Sequence, residues 1–201
     1  MASHSFRKNY EVGVETFYSS HGNQYKNPHS PTMKRVFRSM LNKWKNTVNF
    51  NKTLDLACGS GEATQFLKEQ FERQGIHTII GDFTDVDCDP NCVYIEGSDP
   101  FTYEAYEKRM GISASRFSFE DIEGGFLEGR FYDTIISSYA MHLIDTSRLY
   151  STCVQLAMVS KHLIIVSPIK RPEITSSMGW NIIDQFVEEK IHVRLYSSAY
   201  F

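Results

Sequence analysis

From Pro31 the chain places Met33, Val36, Phe37, Met40, Leu41 and Trp44 at three- and four-residue intervals, with Lys34, Arg35, Arg38 and Lys45 between them. This spacing predicts an amphipathic helix over 31–47, entered through Ser30 and a first-turn proline. The period then changes. TLDLACGSGEATQFLKEQFERQG reads as a short apolar strand, a glycine turn and a helix with Ala63, Phe66, Leu67 and Phe71 along one side. Further strands are predicted at Thr78–Ile80, Val93–Glu96, Arg116–Phe119, Thr134–Ser138, Leu163–Ser167 and Val193–Tyr200. Helices are predicted at Tyr103–Met110, Leu149–Ser160 and Trp180–Lys190. Strands alternating with helices imply parallel pairing, hence an α/β, doubly wound, mostly parallel sheet with helices on both faces. The polar run Gly81–Asn91 inserts extra chain between two of the strands.

Composition adds bounds. With 201 residues, 41% hydrophobic and 22% charged, the chain can bury one sizeable core. The apolar fraction excludes general disorder, and no stretch approaches the roughly 20 apolar residues of a membrane-spanning helix, so no membrane partner is expected. Early charges without an apolar run argue against a secretory signal and for a cytoplasmic protein, with the nucleus as the other option. Cys58, Cys88, Cys92 and Cys153 are expected to be free thiols. The run C-D-P-N-C lacks the second cysteine pair of a zinc site, so no metal is expected.

The formal net charge of −3 argues against a chain that coats nucleic acid. Its distribution is uneven, about +6 over residues 1–50 and −9 over the remainder. The organisation expected is a basic N-terminal helical segment or lid over 1–48 on an acidic body over 49–201, forming one compact unit. The basic array is a solvated face or a surface for an anionic substrate or RNA.

In an open parallel sheet the ligand crevice lies at the carboxyl ends of the strands, next to the first one. This locates Asp55, Ala57, Gly59, Ser60 and Gly61. Gly59 and Gly61 allow a ligand to approach the main chain closely. A dinucleotide fingerprint would need a third glycine, yet the sequence reads G-S-G-E-A-T, with Glu62 where phosphates would sit. A phosphate-binding P-loop would need Lys followed by Ser or Thr, and neither is present. A cationic ligand suits Asp55 and Glu62.

The run DLACGSGEAT resembles the first motif of class I S-adenosylmethionine-dependent methyltransferases, with alanine at 57 where that motif commonly has glycine. The resemblance covers roughly residues 50–170 in four ordered stations. It implies S-adenosyl-L-methionine as cofactor and S-adenosyl-L-homocysteine as product. The second station is VYIEGSDPF, where Asp99, followed by Pro100, is favoured over Asp82 for the ribose. The third is RFSFEDI, where the resemblance puts Phe119 beside the adenine and Asp121, or alternatively Glu120, on its amino group; capping a helix is the competing role for Asp121. The fourth is FYDTIISSYAMHLID, where Ser137, Ser138, Tyr139 and His142 would close the pocket over the methyl group.

Methyl transfer is an in-line displacement, so positioning supplies much of the acceleration and a base is optional. His142 titrates near neutrality and is the first candidate base, with Tyr139 the second. FYSSHGNQYKNPH is similar to the lid of small members of the superfamily, which makes Tyr18, Tyr25 and His29 lid or substrate candidates and His21 a weaker one. No N-P-P-Y or D-P-P-Y run is present, which disfavours nucleobases and glutamine as acceptors. The expected acceptor is an unidentified small molecule, with protein or RNA as the variant, and the expected state is monomer or dimer. Lys170 and Arg171 would leave the fifth strand on the ligand side. Because sheets of this superfamily usually end in two more strands and only one is evident, an abbreviated carboxyl end is expected. That shortening motivates the alternative of a non-catalytic binding or regulatory module; a nucleotide oxidoreductase is the weaker enzyme rival.

Overall fold

The computed structural model describes residues 30–83 and 88–201. Helix α1 (Ser30–Trp44) buries Met33, Val36, Phe37, Met40, Leu41 and Trp44, the apolar positions of the sequence pattern. Strand β1 (Lys52–Leu56) leads through the glycine turn into α2 (Glu62–Arg73). There follow β2 (His77–Ile80), β3 (Cys92–Ser98), α3 (Tyr103–Met110) and the short α4 (Phe119–Glu123). The chain continues through β4 (Tyr132–Ser138), a 3₁₀ turn at Met141–Leu143, α5 (Thr146–Val159) and β5 (Ser160–Ser167). It ends in the hairpin β6 (Trp180–Glu188) and β7 (Ile191–Ser198).

The strands form one sheet in the order β2-β3-β1-β4-β5-β7-β6, parallel except where β7 runs antiparallel to β5 and β6. Alternating side chains feed two cores. Ile95, Ile136, Ile164, Val193 and Leu195 face α1 and α2. Leu54, Ile135, Leu163, Ile165 and Tyr196 face α4 and α5 on the opposite side. The doubly wound fold expected from the sequence is therefore the observed one.

Three expectations change. The segment 180–190 is a strand rather than a helix. A bulge between Ile182 and Asp184 breaks the two-residue alternation, so the doublet Ile182–Ile183 mimics helical spacing. Its turn is Glu189–Lys190, both at positive φ, and lacks the Asn or Gly that marks such hairpins in a sequence. The carboxyl end is consequently not abbreviated: β6 and β7 complete a seven-stranded sheet.

The third change concerns Arg116–Phe119, which forms no strand. The outer edge of β3 is shared by two segments: β2 pairs with Cys92–Ile95, and Ser115 alone bridges Ser98. Ser115 donates its N–H to Gly97 O at 2.8 Å and accepts from Asp99 N at 2.9 Å. The chain then turns into α4, capped by Ser118.

The basic residues of α1 latch the helix to the acidic body. Lys34 pairs with Glu69 at 2.9 Å, Lys43 with Asp184 at 2.5 Å, and Arg35 with Glu189. These solvent-exposed pairs each contribute little to stability, because water screens them. They engage Lys34 and Arg35, two of the four residues of the predicted basic array.

Behind the glycine turn, the Tyr106 ring is fully buried between Gly61 and Gly97. A methyl group at Gly97 would lie 2.6 Å from the ring. Gly97→Ala is therefore expected to destabilise the protein by about 1–3 kcal/mol through overpacking, read as a lower urea midpoint with an unchanged slope.

Candidate functional site

A cleft of about 1040 Å³ opens at the carboxyl ends of β1, β3 and β4, where Leu56, Ser98 and Ser138 reach its wall. The chain leaves β1 toward β3 on one side, while β4 lies on the other, so the cleft occupies the point where winding reverses.

Its floor is a polar clamp between the first two motifs. Asp99 Oδ2 accepts the Gly59 N–H at 3.1 Å, and Oδ1 accepts the N–H groups of Phe101 and Thr102, both at 2.9 Å. Thr102 Oγ1 in turn donates to Gly59 O at 2.9 Å. One carboxylate thus fixes the glycine turn against the start of α3. Two non-glycine residues of the wall, Ala57 and Tyr139, hold positive φ angles of 56° and 60°. Such strain clusters at functional sites.

Ala57, Gly59, Asp99, Pro100, Phe119 and Asp121 line the cleft, as does Tyr139. Four predicted cofactor residues do not. Asp55 is fully buried behind the turn, and its Oδ2 accepts from Thr64 N at 3.0 Å and Thr64 Oγ1 at 2.7 Å, tying β1 to the first turn of α2. Ser60 is buried and donates to Glu62 Oε1 at 2.7 Å. The space in front of Gly61 is filled by Tyr106, so its missing side chain serves internal packing. Ser137 points into the protein, and its neighbour Ser138 takes the place at the wall, as a one-residue change of side-chain direction requires.

Among the catalytic candidates, His142 is half-buried on the 3₁₀ turn whose Leu143 and adjoining Ala140 reach the cleft; it does not line the cleft itself. Burial lowers its pKa, and its Nδ1 has no hydrogen-bond partner among the described residues. Burial pushes the Tyr139 phenol up to about 12, so at neutral pH it is a protonated wall residue rather than a base. Tyr18, Tyr25, His21 and His29 lie outside the described residues. Asp82 is exposed beyond the end of β2 and away from the cleft. Lys170 and Arg171 also stand outside it, and their carbonyls accept from the Arg194 guanidinium at 3.0 and 3.1 Å.

Asp121 fills both roles considered for it. It lines the cleft and completes a capping box, accepting from Ser118 N at 2.8 Å and Ser118 Oγ at 2.9 Å. Those donors hold its pKa below the usual carboxylate range. Sequence reasoning missed Asp145 and Arg148. Asp145 caps α5 through Ser147 N at 2.9 Å, and Arg148 pairs with Glu120 and Glu123. The run I-D-T-S at the exit of β4 is a helix-start signature that points to Asp145.

Among the described residues the wall carries Glu62, Asp99, Glu120, Asp121 and Asp145 against one cation, Arg148. Phosphates are disfavoured there, and a cation is favoured. A sulfonium with an ammonium fits this donor set, and the main chain at Ala57 and Gly59 offers the close approach a nucleoside needs. Cys58 also lines the cleft, but burial and the nearby Asp55 push its thiol pKa well up, which makes it an inert packing residue. No group of three or more potential metal ligands occurs among the described residues, and none of their helices is long and apolar enough to cross a membrane.

No protein-family model matches the chain. An uncharacterized protein of Schizosaccharomyces pombe is 30% identical over 230 residues, covering 98% of this chain and 93% of that protein. Similar solved structures include magnesium protoporphyrin IX methyltransferase of Synechocystis PCC 6803 with bound S-adenosylmethionine (TM-score 0.54, 14% identity, 95% of this chain and 93% of that one). The N-methyltransferase NodS of Bradyrhizobium japonicum WM9, in complex with S-adenosylhomocysteine, gives 0.55 at 11% identity over 86% and 89%. An O-methyltransferase family protein of Burkholderia thailandensis gives 0.60 at 13% identity over 96% and 69%. At these identities the likeness establishes the fold.

Burial holds the Asp55 pKa up at about 7 against the lowering by Thr64. A carboxyl raised in the folded state keeps its proton there after the unfolded chain has lost it. Its contribution to stability therefore falls as pH rises from about 4 to about 7 and is level above that. Asp55→Asn is expected to flatten this decline, read as a smaller drop in Tm between pH 5 and 8 than in the unsubstituted protein.

Proposed function

Because the chain belongs to the same family as the fission-yeast protein and carries the fold of class I S-adenosylmethionine-dependent methyltransferases, we propose that it binds S-adenosylmethionine in this cleft and transfers the methyl group to a small-molecule acceptor. The observation that carries the reading is the acidic cleft built around the Asp99–Gly59 clamp at the switch point of the sheet. Its volume lies at the upper end of the roughly 300–1,000 Å³ of small-ligand sites, which leaves room for a nucleoside and a second small molecule.

When bound, the cofactor supplies a methyl group on a cationic sulfur, open to in-line displacement. The chain's contribution is positional and electrostatic. Ala57 and Gly59 present main chain at the turn. Asp99 has acceptor capacity beyond its backbone donors, toward ribose hydroxyls. Phe119 gives a flat apolar surface beside Asp121. Tyr139, Leu143 and Ile144 line the same cleft and offer largely apolar surface to the transfer site. No general base is required of these residues if the acceptor atom arrives already deprotonated, as a neutral amine nitrogen or an anion does.

The binding-only alternative was motivated by a short carboxyl end, and the completed β6–β7 hairpin removes that motive. The oxidoreductase alternative needs a diphosphate beside Glu62, which is buried and paired with Arg109 at 3.1 Å. Titration calorimetry on the full chain tests the reading. S-adenosylhomocysteine is expected to bind, and Asp99→Asn to weaken it by about tenfold, or about 1.4 kcal/mol, with retained fold by circular dichroism. No heat and no thermal shift at millimolar ligand, or tighter binding of a nicotinamide dinucleotide, would overturn it.

A further inference from the structure

Resting on the cofactor reading above, we propose that the acceptor atom is an uncharged amine nitrogen on an apolar small molecule, and that the cleft rejects carboxylate, phosphate and phenolate acceptors. The inference starts from how each carboxylate of the wall is satisfied. Glu62 is paired with Arg109, and Glu120 with Arg148. Asp99 and Asp121 are satisfied by neutral donors, backbone N–H groups and Ser118 respectively, while Asp145 accepts from Ser147 N and Oγ and also feels the Arg148 charge. A neutral donor satisfies a carboxylate oxygen without cancelling its charge. The pKa values of Asp121 and Asp145 are accordingly held down. Among the described residues the one cation of the wall is Arg148, and it is engaged by both Glu120 and Glu123.

This field separates the possible transfers. With a neutral amine, the nitrogen–carbon bond forms as the sulfur–carbon bond breaks, and the positive charge passes from sulfur to nitrogen. No proton leaves during the step; the product ammonium gives one up to water afterwards, where it has one to give. The carboxylates therefore face a cation throughout. With an oxyanion or thiolate the cation is annihilated, the field is lost in the transition state, and the anion must first approach the carboxylates of Asp99 and Asp121, whose hydrogen-bond partners among the described residues are all neutral. The amine also fits the catalytic inventory, since Tyr139 is held protonated and His142 does not line the cleft. Met33, Leu143 and Ile144 supply an apolar surface for the rest of the acceptor.

The test combines transfer with binding. The full chain is incubated with S-adenosylmethionine labelled in the methyl group and a deproteinised fission-yeast extract, and products are resolved from the unreacted cofactor, itself a cation, by reversed-phase chromatography before ion exchange at pH 7. Label is expected on the cation exchanger. In parallel, with the cofactor site filled by S-adenosylhomocysteine, benzyltrimethylammonium is expected to bind at least tenfold more tightly than phenylacetate. Asp145→Asn, which keeps a competent helix cap but removes the charge, is expected to weaken the ammonium probe severalfold and S-adenosylhomocysteine by a smaller factor, and equal weakening of both would overturn the proposal. Label in a neutral or anionic product, no label above a heat-inactivated control, or phenylacetate binding as well as the ammonium probe would each overturn the proposal. A chain that fails to bind S-adenosylhomocysteine would instead sink the cofactor reading, so the two failures are distinct.

Discussion

The carboxylate of Asp99 is the constraint on which the site depends. It gathers three backbone N–H groups from two distant segments, Gly59 on one side and Phe101 and Thr102 on the other. Hydrogen bonds to a charged acceptor are the strong class, and this residue is mostly buried, where losing a partner is costly. β1 and β3 are already neighbours in the sheet, and the clamp fixes the turn that leaves β1 against the start of α3. Tyr106 reinforces it from behind, packed against Gly61 and Gly97 so closely that neither position has room for a side chain.

A second buried network steadies the neighbouring wall. Glu96 accepts from Ser115 Oγ at 2.6 Å, Tyr132 Oη at 2.8 Å and Arg130 at 3.1 Å, while Arg130 also lies over the rings of Phe117 and Phe126. Ser115 is the residue that completes the edge of β3 beyond the reach of β2. A satisfied polar cluster of this kind favours one arrangement over near alternatives. It holds the segment that carries Phe119 and Asp121 where a regular strand would otherwise have been needed.

Much of the architecture was legible because its signals are local and periodic. The buried stripe of α1, the side of α2 and the residues of α3 follow from three- and four-residue spacing, and the glycine turn follows from backbone permissiveness. Where the reading failed, a competing local rule was at work. The bulge at Ile182–Asp184 gave β6 a helical rhythm, and the capping box of Ser118 and Asp121 drew the expected strand at Arg116–Phe119 into a helix start.

The sequence by itself determined the fold class, the place of the cleft and the acidic chemistry around it, since these depend on periodicity, glycine placement and charge. Only the tertiary structure decided which members of each motif face the ligand. Asp55 and Asp99 are both carboxylates at strand ends, yet one turns inward to Thr64 and the other forms the floor. Ser137 and Ser138 differ by one step along β4 and stand on opposite sides of that decision. Gly61 has the composition of a ligand turn, but its open space belongs to Tyr106. Side-chain direction and the occupant of each cavity are set by neighbours distant in the chain, so short-range pattern carries no record of them.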